Sequence, residues 1–310
     1  MLAPENRKAL EEICKGRVET DISMAEYCSL KAGGRAAALA FPPGREELEA
    51  LIVFLRGKRI PYLPFGRGTN LLIREGGYPG VLISLAEGFQ KVESGREEGE
   101  KLLRIRAEGG APLARAVELA AQEGGSGLAA LTGIPGSVGG AIRMNAGPAG
   151  SKGQIGDSVK TVLVLESSGR VVSRDREDLK FGYRESALKE REFVLEAVLE
   201  LAPGKPEKIR KEMETIREKK KSTQPWDLPN AGSIFKNPDR GQAGQMIEEA
   251  GLKGVRIRGA QVSPVHANFI VNVGGATAKD ILSLIGMIRD RVKEKFGVLL
   301  ELELKVIGED

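Results

Sequence analysis

Apolar positions along this chain follow two periods. In REELEALIVFLRGKR, Leu48, Leu51, Ile52 and Leu55 recur at helical spacing, and the preceding segment RAAALAFP, 35 to 42, reads as a strand. IPYLPFG, 60 to 66, and GVLISL, 80 to 85, continue as strands around a polar turn at RGTN, which makes a βαβ-like unit. A short helix is expected over residues 5 to 15. QKVESGREEGEKLLRIRAEGG forms a charged hairpin, followed by a helix over 112 to 123 with Pro112 in its first turn. TVLVLES, GRVVSR and REFVLEAVLEL are mostly strands and suggest a second, sheet-rich lobe. The stretch from 205 to 225 carries one thin apolar stripe, Ile209, Met213 and Ile216, and predicts an exposed helix. Beyond it come a helix at 242 to 250, a strand at NFIVNV (268 to 273) and a long helix. Thr277 and Asp280 open that helix as a capping box and Gly297 closes it. VLLELELKVIG, 298 to 308, is expected as a final strand.

Against this regular pattern, GIPGSVGGAIRMNAG (133 to 147) stands out. Gly133, Gly136, Gly139, Gly140 and Gly147 leave few side chains to fill a core, while Ile134, Val138, Ile142 and Met144 anchor the segment. Glycine lets a bulky ligand approach main-chain N–H groups, so a flat cofactor or a diphosphate suits this backbone. GRGTNLL (66 to 72) offers main-chain donors with Thr69 and Asn70 on a turn after a strand. It is not the dinucleotide fingerprint, because it leads into a strand instead of opening a helix. An ordinary Asn-containing turn remains the alternative for that segment alone.

Composition narrows the chemistry. At 310 residues and 41% hydrophobic, the chain fills two or three lobes. Lys plus Arg number 47 against 43 acids, a net charge of +4 that suits anionic small molecules better than a nucleic-acid lattice, and 5% aromatics offer little base-stacking surface. No run has the length of a membrane span and the N-terminus lacks the apolar core of a signal peptide, so a cytoplasmic enzyme is expected. Cys14, Cys28 and the sole histidine, His266, support neither a disulfide framework nor a metal site.

LKAGGRAAALAFP (30 to 42), LPFGRGTNLLI (63 to 73) and LTGIPGSVGGAIRMNAG (131 to 147) together resemble the FAD-binding domain of the vanillyl-alcohol oxidase and p-cresol methylhydroxylase superfamily. Within it the chain is most similar to the UDP-N-acetylenolpyruvoylglucosamine reductase family. FGYRES (181 to 186), LPNAGSIFKNP (228 to 238), AGQMIEEAGLKG (243 to 254), VSPVHANFIVN (262 to 272) and ELELKVIG (301 to 308) extend the likeness over nearly the whole chain. The resemblance implies an α+β fold. A two-lobed FAD-binding domain (1–205, lobes about 20–90 and 91–205) would precede a smaller α/β substrate-binding domain (206–300) and a C-terminal strand (301–310).

It also implies a reaction: NADPH reduces non-covalent FAD, which reduces the enolpyruvyl ether of a UDP-sugar in peptidoglycan precursor synthesis. Arg184 matches the family's arginine, Glu303 its glutamate and Ser233 its proton donor. The implied cofactor contacts are Gly66, Arg67, Gly68, Thr69 and Asn70, then Gly133, Ile134, Pro135, Gly136, Ser137, Gly139, Gly140, Ala141 and Asn145. The implied substrate contacts are Tyr183, Gln224, Lys236, Asn237, Gln261, His266 and Asn268. Without a histidine in the N-terminal half, histidyl attachment of FAD is excluded.

Read by themselves, Arg184 beside Glu185 is an exposed ion pair, Ser233 a turn hydroxyl and Glu303 one of two carboxylates on an edge strand. Glu301 and Glu303 would share a face of that strand; the distance to KVIG favours Glu303. Arg143, Arg67 and Pro148-Ala149 depart from the family's usual residues at the cofactor wall. With four tyrosines, Tyr27, Tyr62, Tyr78 and Tyr183, the chain resembles the shorter family type that lacks a tyrosine loop. A monomer is expected. The competing readings are a flavin-dependent oxidase of a sugar or alcohol, which leaves NAGSIFKNP unexplained, and a non-catalytic descendant, which leaves Arg184, Ser233 and Glu303 without a use.

Overall fold

The computed structural model of the chain describes residues 2–96, 99–148 and 152–310; Ala149 lies outside them. Helix α1 (Pro4–Cys14) leads into β1 (Arg17–Ser23), an edge strand absent from the periodicity because all but one of its residues are half-buried and none alternates cleanly. Strand β2 (Arg35–Phe41), helix α2 (Arg45–Gly57) and β3 (Tyr62–Phe65) follow. Past the short β4 (Leu71–Ile73), β5 (Tyr78–Ser84) inserts between β2 and β3, parallel to both, so the sheet order is β1-β2-β5-β3. The crossover helix fixes this arrangement. Leu48, Leu51, Ile52 and Leu55 are completely buried against the sheet, each contributing about 1.5–3 kcal/mol.

A second sheet carries β6 (Val92–Gly95), β7 (Leu103–Glu108), β9 (Val159–Leu165), β10 (Val171–Asp175) and β11 (Phe193–Pro203) in the order β10-β9-β11-β7-β6, with β8 (Gly125–Ser126) pairing the end of β11. The expected hairpin is β6 and β7. Helix α3 (Leu113–Gln122) packs Leu113, Ala116, Val117 and Ala120 into this core, and Pro112 sits at its N-cap, one place before the first turn. The glycine segment is not all loop: Val138–Arg143 form a short helix, α4, capped by Ser137 Oγ, which accepts the Gly140 N–H at 3.2 Å. Of the four expected anchors, Val138 and Ile142 are fully buried, whereas Ile134 and Met144 are half-buried and line the cavity described below.

Helix α5 (Pro206–Thr223) crosses to a third unit built from β12 (Asn230–Ser233), α6 (Ala243–Glu249), β13 (Arg256–Ile257), β14 (Ala260–Val262), β15 (Phe269–Asn272) and α7 (Ala278–Phe296), sheet order β12-β15-β14-β13. The capping box is present: the Asp280 N–H donates to Thr277 Oγ1 at 3.1 Å and the Thr277 N–H to the Asp280 carboxylate at 3.0 Å. These bonds hold the Asp280 carboxyl below its usual range.

The expected final strand is shorter. Only Lys305–Ile307, β16, is a strand, and it pairs in parallel with β4 of the first unit. Residues before it leave the ladder because Leu300 and Leu304 are drawn into the third core, while the Lys236 N–H donates to Glu301 O and the Glu303 N–H to Ile234 O. This detour brings Glu303 to the seam between the first and third units.

Candidate active site

The elbow after β3 and the glycine segment face each other across a cavity of about 1070 Å³. Gly66, Arg67, Gly68, Thr69 and Asn70 line it from one side. Gly133, Ile134, Pro135, Gly136, Ser137, Gly140 and Ala141 line it from the other. Thr69 Oγ1 donates to Pro135 O at 3.3 Å and ties the two together. Gly68 has φ +62°, and a Cβ there would stand 2.4 Å from Tyr27 O. Gly68→Ala is therefore expected to cost about 2 kcal/mol in stability and to lower flavin content, read by thermal melting and by absorbance of the purified protein. At Gly136 (φ +137°) a Cβ would crowd the Thr69 Oγ1 side-chain oxygen at 3.3 Å, so glycine keeps this part of the cavity wall open. A narrower cleft shares Pro64, Phe65, Gly66, Ser137, Gly140 and Arg143 with the cavity and adds Gly139, which elongates the space available.

Asn145 is not on that wall. Its side chain donates to Gln154 Oε1 at 2.7 Å and Gly182 O at 2.9 Å and accepts the Gly156 N–H at 3.0 Å, so it latches the end of the glycine segment. Arg143 is likewise occupied: its guanidinium donates to Glu192 O at 2.6 Å and Lys189 O at 3.0 Å, while burial pulls its pKa down. Three saturated carbonyl contacts, counting Leu188 O at 3.5 Å, explain how an arginine is tolerated there.

Arg184, Ser233 and Glu303 all line the cavity. The Arg184 Nε–H donates to Glu303 Oε1 at 2.7 Å and Nη1 to Gly147 O at 2.7 Å, with both side chains about 15% exposed. Arg184 holds φ +60°, an uncommon backbone state for a non-glycine residue. Two of its five N–H groups are used by these bonds, which leaves donors for an anion. Burial raises the Glu303 pKa above the usual carboxylate value, and the charges of Arg184, Lys236 and Lys305 offset only part of that rise. The expectation that Glu301 and Glu303 share a face is corrected: with no regular strand at 301–304, Glu301 is 75% exposed beside Lys236 while Glu303 turns inward.

Backbone clamps set Ser233. The Asn268 side chain donates to Phe235 O at 2.8 Å and accepts the Phe235 N–H at 3.0 Å, and the Ile234 N–H donates to Asn268 O at 2.8 Å. Asn70 Nδ2 donates to Glu303 O at 3.1 Å, linking the elbow to the acid. Asn70 Oδ1 is buried with no partner, an orphan acceptor that a ligand donor would satisfy. That orphan, the wall that glycine keeps open and the elongated space fit a flavin dinucleotide.

Of the expected substrate contacts, Gln224 lines the cavity. Tyr183, Lys236, Asn237, Gln261, His266 and Asn268 are not on its wall. The Tyr183 hydroxyl accepts the Asn237 N–H at 3.2 Å, and Asn237 Oδ1 accepts the first N–H of α6 at 3.1 Å. Gln261 Nε2 donates to Gly254 O at 3.0 Å. The His266 ring lies edge-on to Phe269 and Nδ1 accepts the Asn268 N–H at 3.2 Å, with burial lowering its pKa. Sequence reading missed Ser29, Lys31, Trp226 and Lys305, which also line the cavity. Among the described residues the wall carries Lys31, Arg67, Arg143, Arg184, Lys219, Lys220 and Lys305 against Asp227 and Glu303. This excess of cations attracts a polyanion.

Comparison with known proteins bears on what that polyanion is. The FAD binding domain family matches residues 36–174, and the C-terminal domain family of UDP-N-acetylenolpyruvoylglucosamine reductase matches 224–307. The UDP-N-acetylenolpyruvoylglucosamine reductase of Syntrophus aciditrophicus is 43% identical over 304 residues, 98% of this chain and 96% of that protein. This chain belongs to the UDP-N-acetylenolpyruvoylglucosamine reductase family. A reductase of the family from Caldanaerobacter subterraneus is also 43% identical, over 97% of each chain. The crystal structure of the Thermus caldophilus reductase superposes with a TM-score of 0.79 at 38% identity, covering 94% of this chain and 99% of that one. The α+β fold with an FAD-binding domain and a smaller C-terminal domain is that of this reductase family. Among the described residues no helix is long and apolar enough to cross a membrane.

Proposed function

We propose that the chain reduces UDP-N-acetylglucosamine enolpyruvate to UDP-N-acetylmuramate, with NADPH as reductant and FAD as resident cofactor. The observation that carries this reading is the Arg184–Glu303 pair, 2.7 Å apart, in the same cation-lined cavity as Ser233. Gly66 to Asn70 and Gly133 to Ala141 would hold the cofactor. Once reduced by NADPH, the bound FAD would supply a hydride for the terminal vinyl carbon of the enol ether. Addition there pushes electron density onto the neighbouring carboxylate, where a preorganised cation and donor lower the barrier most.

Arg184 binds that carboxylate through the N–H groups left free by Glu303 and Gly147. Burial raises the Glu303 pKa; a second carboxylate nearby raises it further, and the acid, once neutral, donates a hydrogen bond to the developing charge. Ser233 delivers the proton to the carbon that bears the carboxylate. A serine hydroxyl is a weak acid, sufficient here because the carbon it protonates is strongly basic. Asn268 and Asn70 hold the two reacting segments in register without touching the chemistry.

On this reading residues 1–205 bind the cofactor, 206–300 the substrate, and 301–310 carry Glu303 back to the flavin side in a monomer. The test is NADPH consumption by the FAD-loaded protein under nitrogen, with and without the enolpyruvyl UDP-sugar. Turnover only with that sugar is the expected result. Flavin that NADPH reduces but this substrate cannot re-oxidise would overturn the reading, and reduction of the oxidised flavin by a sugar or alcohol without NADPH would point to the oxidase alternative.

A further inference from the structure

Trp226 is the only tryptophan in the chain, and half of its surface is exposed (49%). An indole left in water on a cavity wall forfeits a large part of its burial free energy unless a ligand covers it. Its setting is rigid. Asn230 Nδ2 donates to Pro225 O at 3.0 Å and Leu228 O at 2.8 Å, and the main-chain N–H of Trp226 donates to Gln224 O at 3.0 Å, so the turn that presents the ring is stapled at both ends. The end of α5 is pinned beside it by Lys220 Nζ, which donates to Thr132 O at 2.7 Å. On the glycine segment the ring edge comes so close that a Cβ at Gly133 would lie 3.7 Å from it. Among the described residues no aromatic ring or cation stacks on the indole.

We propose that Trp226 is the stacking platform for the planar heterocyclic base of a nucleotide ligand. The inference rests on the reductase reading above, which brings two such ligands, a UDP-sugar and NADPH, to the cavity besides the resident FAD. Lys219 and Lys220 line the same cavity as the indole, so the phosphates of a nucleotide held there meet a cationic wall. A guanidinium or a leucine at this place could bind charge or fill space; an indole adds a flat, polarisable face.

The test compares wild type, Trp226→Ala and Trp226→Phe, each FAD-loaded, by calorimetric titration with UDP, with inorganic pyrophosphate and with NADP+. Trp226→Ala is expected to weaken UDP by about 5- to 150-fold, the range that base stacking spans, and to leave pyrophosphate unchanged, while Trp226→Phe retains most of the affinity. Weakening of NADP+ in place of UDP supports the platform and assigns it to the dinucleotide. Equal loss for UDP and pyrophosphate, or no loss for either nucleotide, overturns it. Emission from this one tryptophan in wild type gives an independent readout, expected to change with the nucleotide and not with pyrophosphate, and it keeps the test valid if the alanine variant folds poorly; unchanged emission with both nucleotides would overturn the platform. Turnover of the enolpyruvyl UDP-sugar by wild type separates the two claims: if turnover is absent the reductase reading fails, whereas turnover with an unaffected Trp226→Ala removes the platform alone.

Discussion

Ser233→Ala is expected to lower re-oxidation of the reduced flavin by the enolpyruvyl UDP-sugar by about 10²- to 10⁴-fold, the range lost with a positioned proton donor. Reduction of the oxidised flavin by NADPH should proceed near the wild-type rate, because that half-reaction needs no proton at the substrate carbon. The substitution is clean. Among the described residues the Ser233 hydroxyl takes no hydrogen bond, and the fixed geometry of its segment comes from the backbone bonds of Asn268 to Phe235 and Ile234. Loss of the hydroxyl therefore removes the donor without loosening β12, and stability should stay within about 0.5 kcal/mol of wild type. Stopped-flow absorbance of each half-reaction under nitrogen checks the split. A parallel fall in both halves, or a drop in melting temperature, would make Ser233 a structural or binding residue.

What the chain disclosed of this arrangement depended on how local each signal was. Helix α2 was legible from four apolar positions, and α7 from its cap residues, because the residues that decide a helix and its ends lie within one or two turns of each other. Strand β1 was not legible, since a half-buried edge strand shows no alternation. Neither was the pairing of β16 with β4, whose residues are more than 230 positions apart in sequence; nothing in VLLELELKVIG says where its last turn of ladder finds a partner. The face-sharing argument for Glu301 and Glu303 failed for the same reason, as it assumed a strand that tertiary packing of Leu300 and Leu304 displaces.

In the site, the glycines and Asn70 were legible because a backbone that a ligand must approach leaves a compositional trace. Polar side chains leave none. Asn145, Asn268 and Gln261 have the same chemistry whether they hold a ligand or a loop, and the structure turns each to main-chain atoms of its own fold. Arg143 shows the converse: a cation at the cofactor wall whose donors are consumed by the 188–192 carbonyls. Trp226, with no motif of its own, emerges only from exposure and position.

Glu303→Ala is expected to cost about 10²- to 10³-fold in the substrate half-reaction, the penalty for losing one donor at a developing charge. Glu303→Gln, which keeps an N–H donor and cannot ionise, should lose less and should change the pH profile. Burial holds the Glu303 pKa above the ordinary carboxylate value, with Arg184 opposing it, so in wild type the neutral donor fraction falls as pH rises through that raised pKa. Wild-type re-oxidation should decline along the same limb, and the Gln variant should not show it. Stability carries the same sign. The folded state binds this proton more tightly than the unfolded chain, so the contribution of Glu303 is fully present below the unfolded carboxylate pKa and is lost as pH rises through the folded one. Melting curves of Glu303→Gln against wild type should diverge in favour of Gln over that window. A descending limb that persists in the Gln variant would assign it to another group. A Gln variant no better than Ala would mean that Glu303 acts as an anion positioning Arg184, whose Nε it holds at 2.7 Å, and not as a neutral donor.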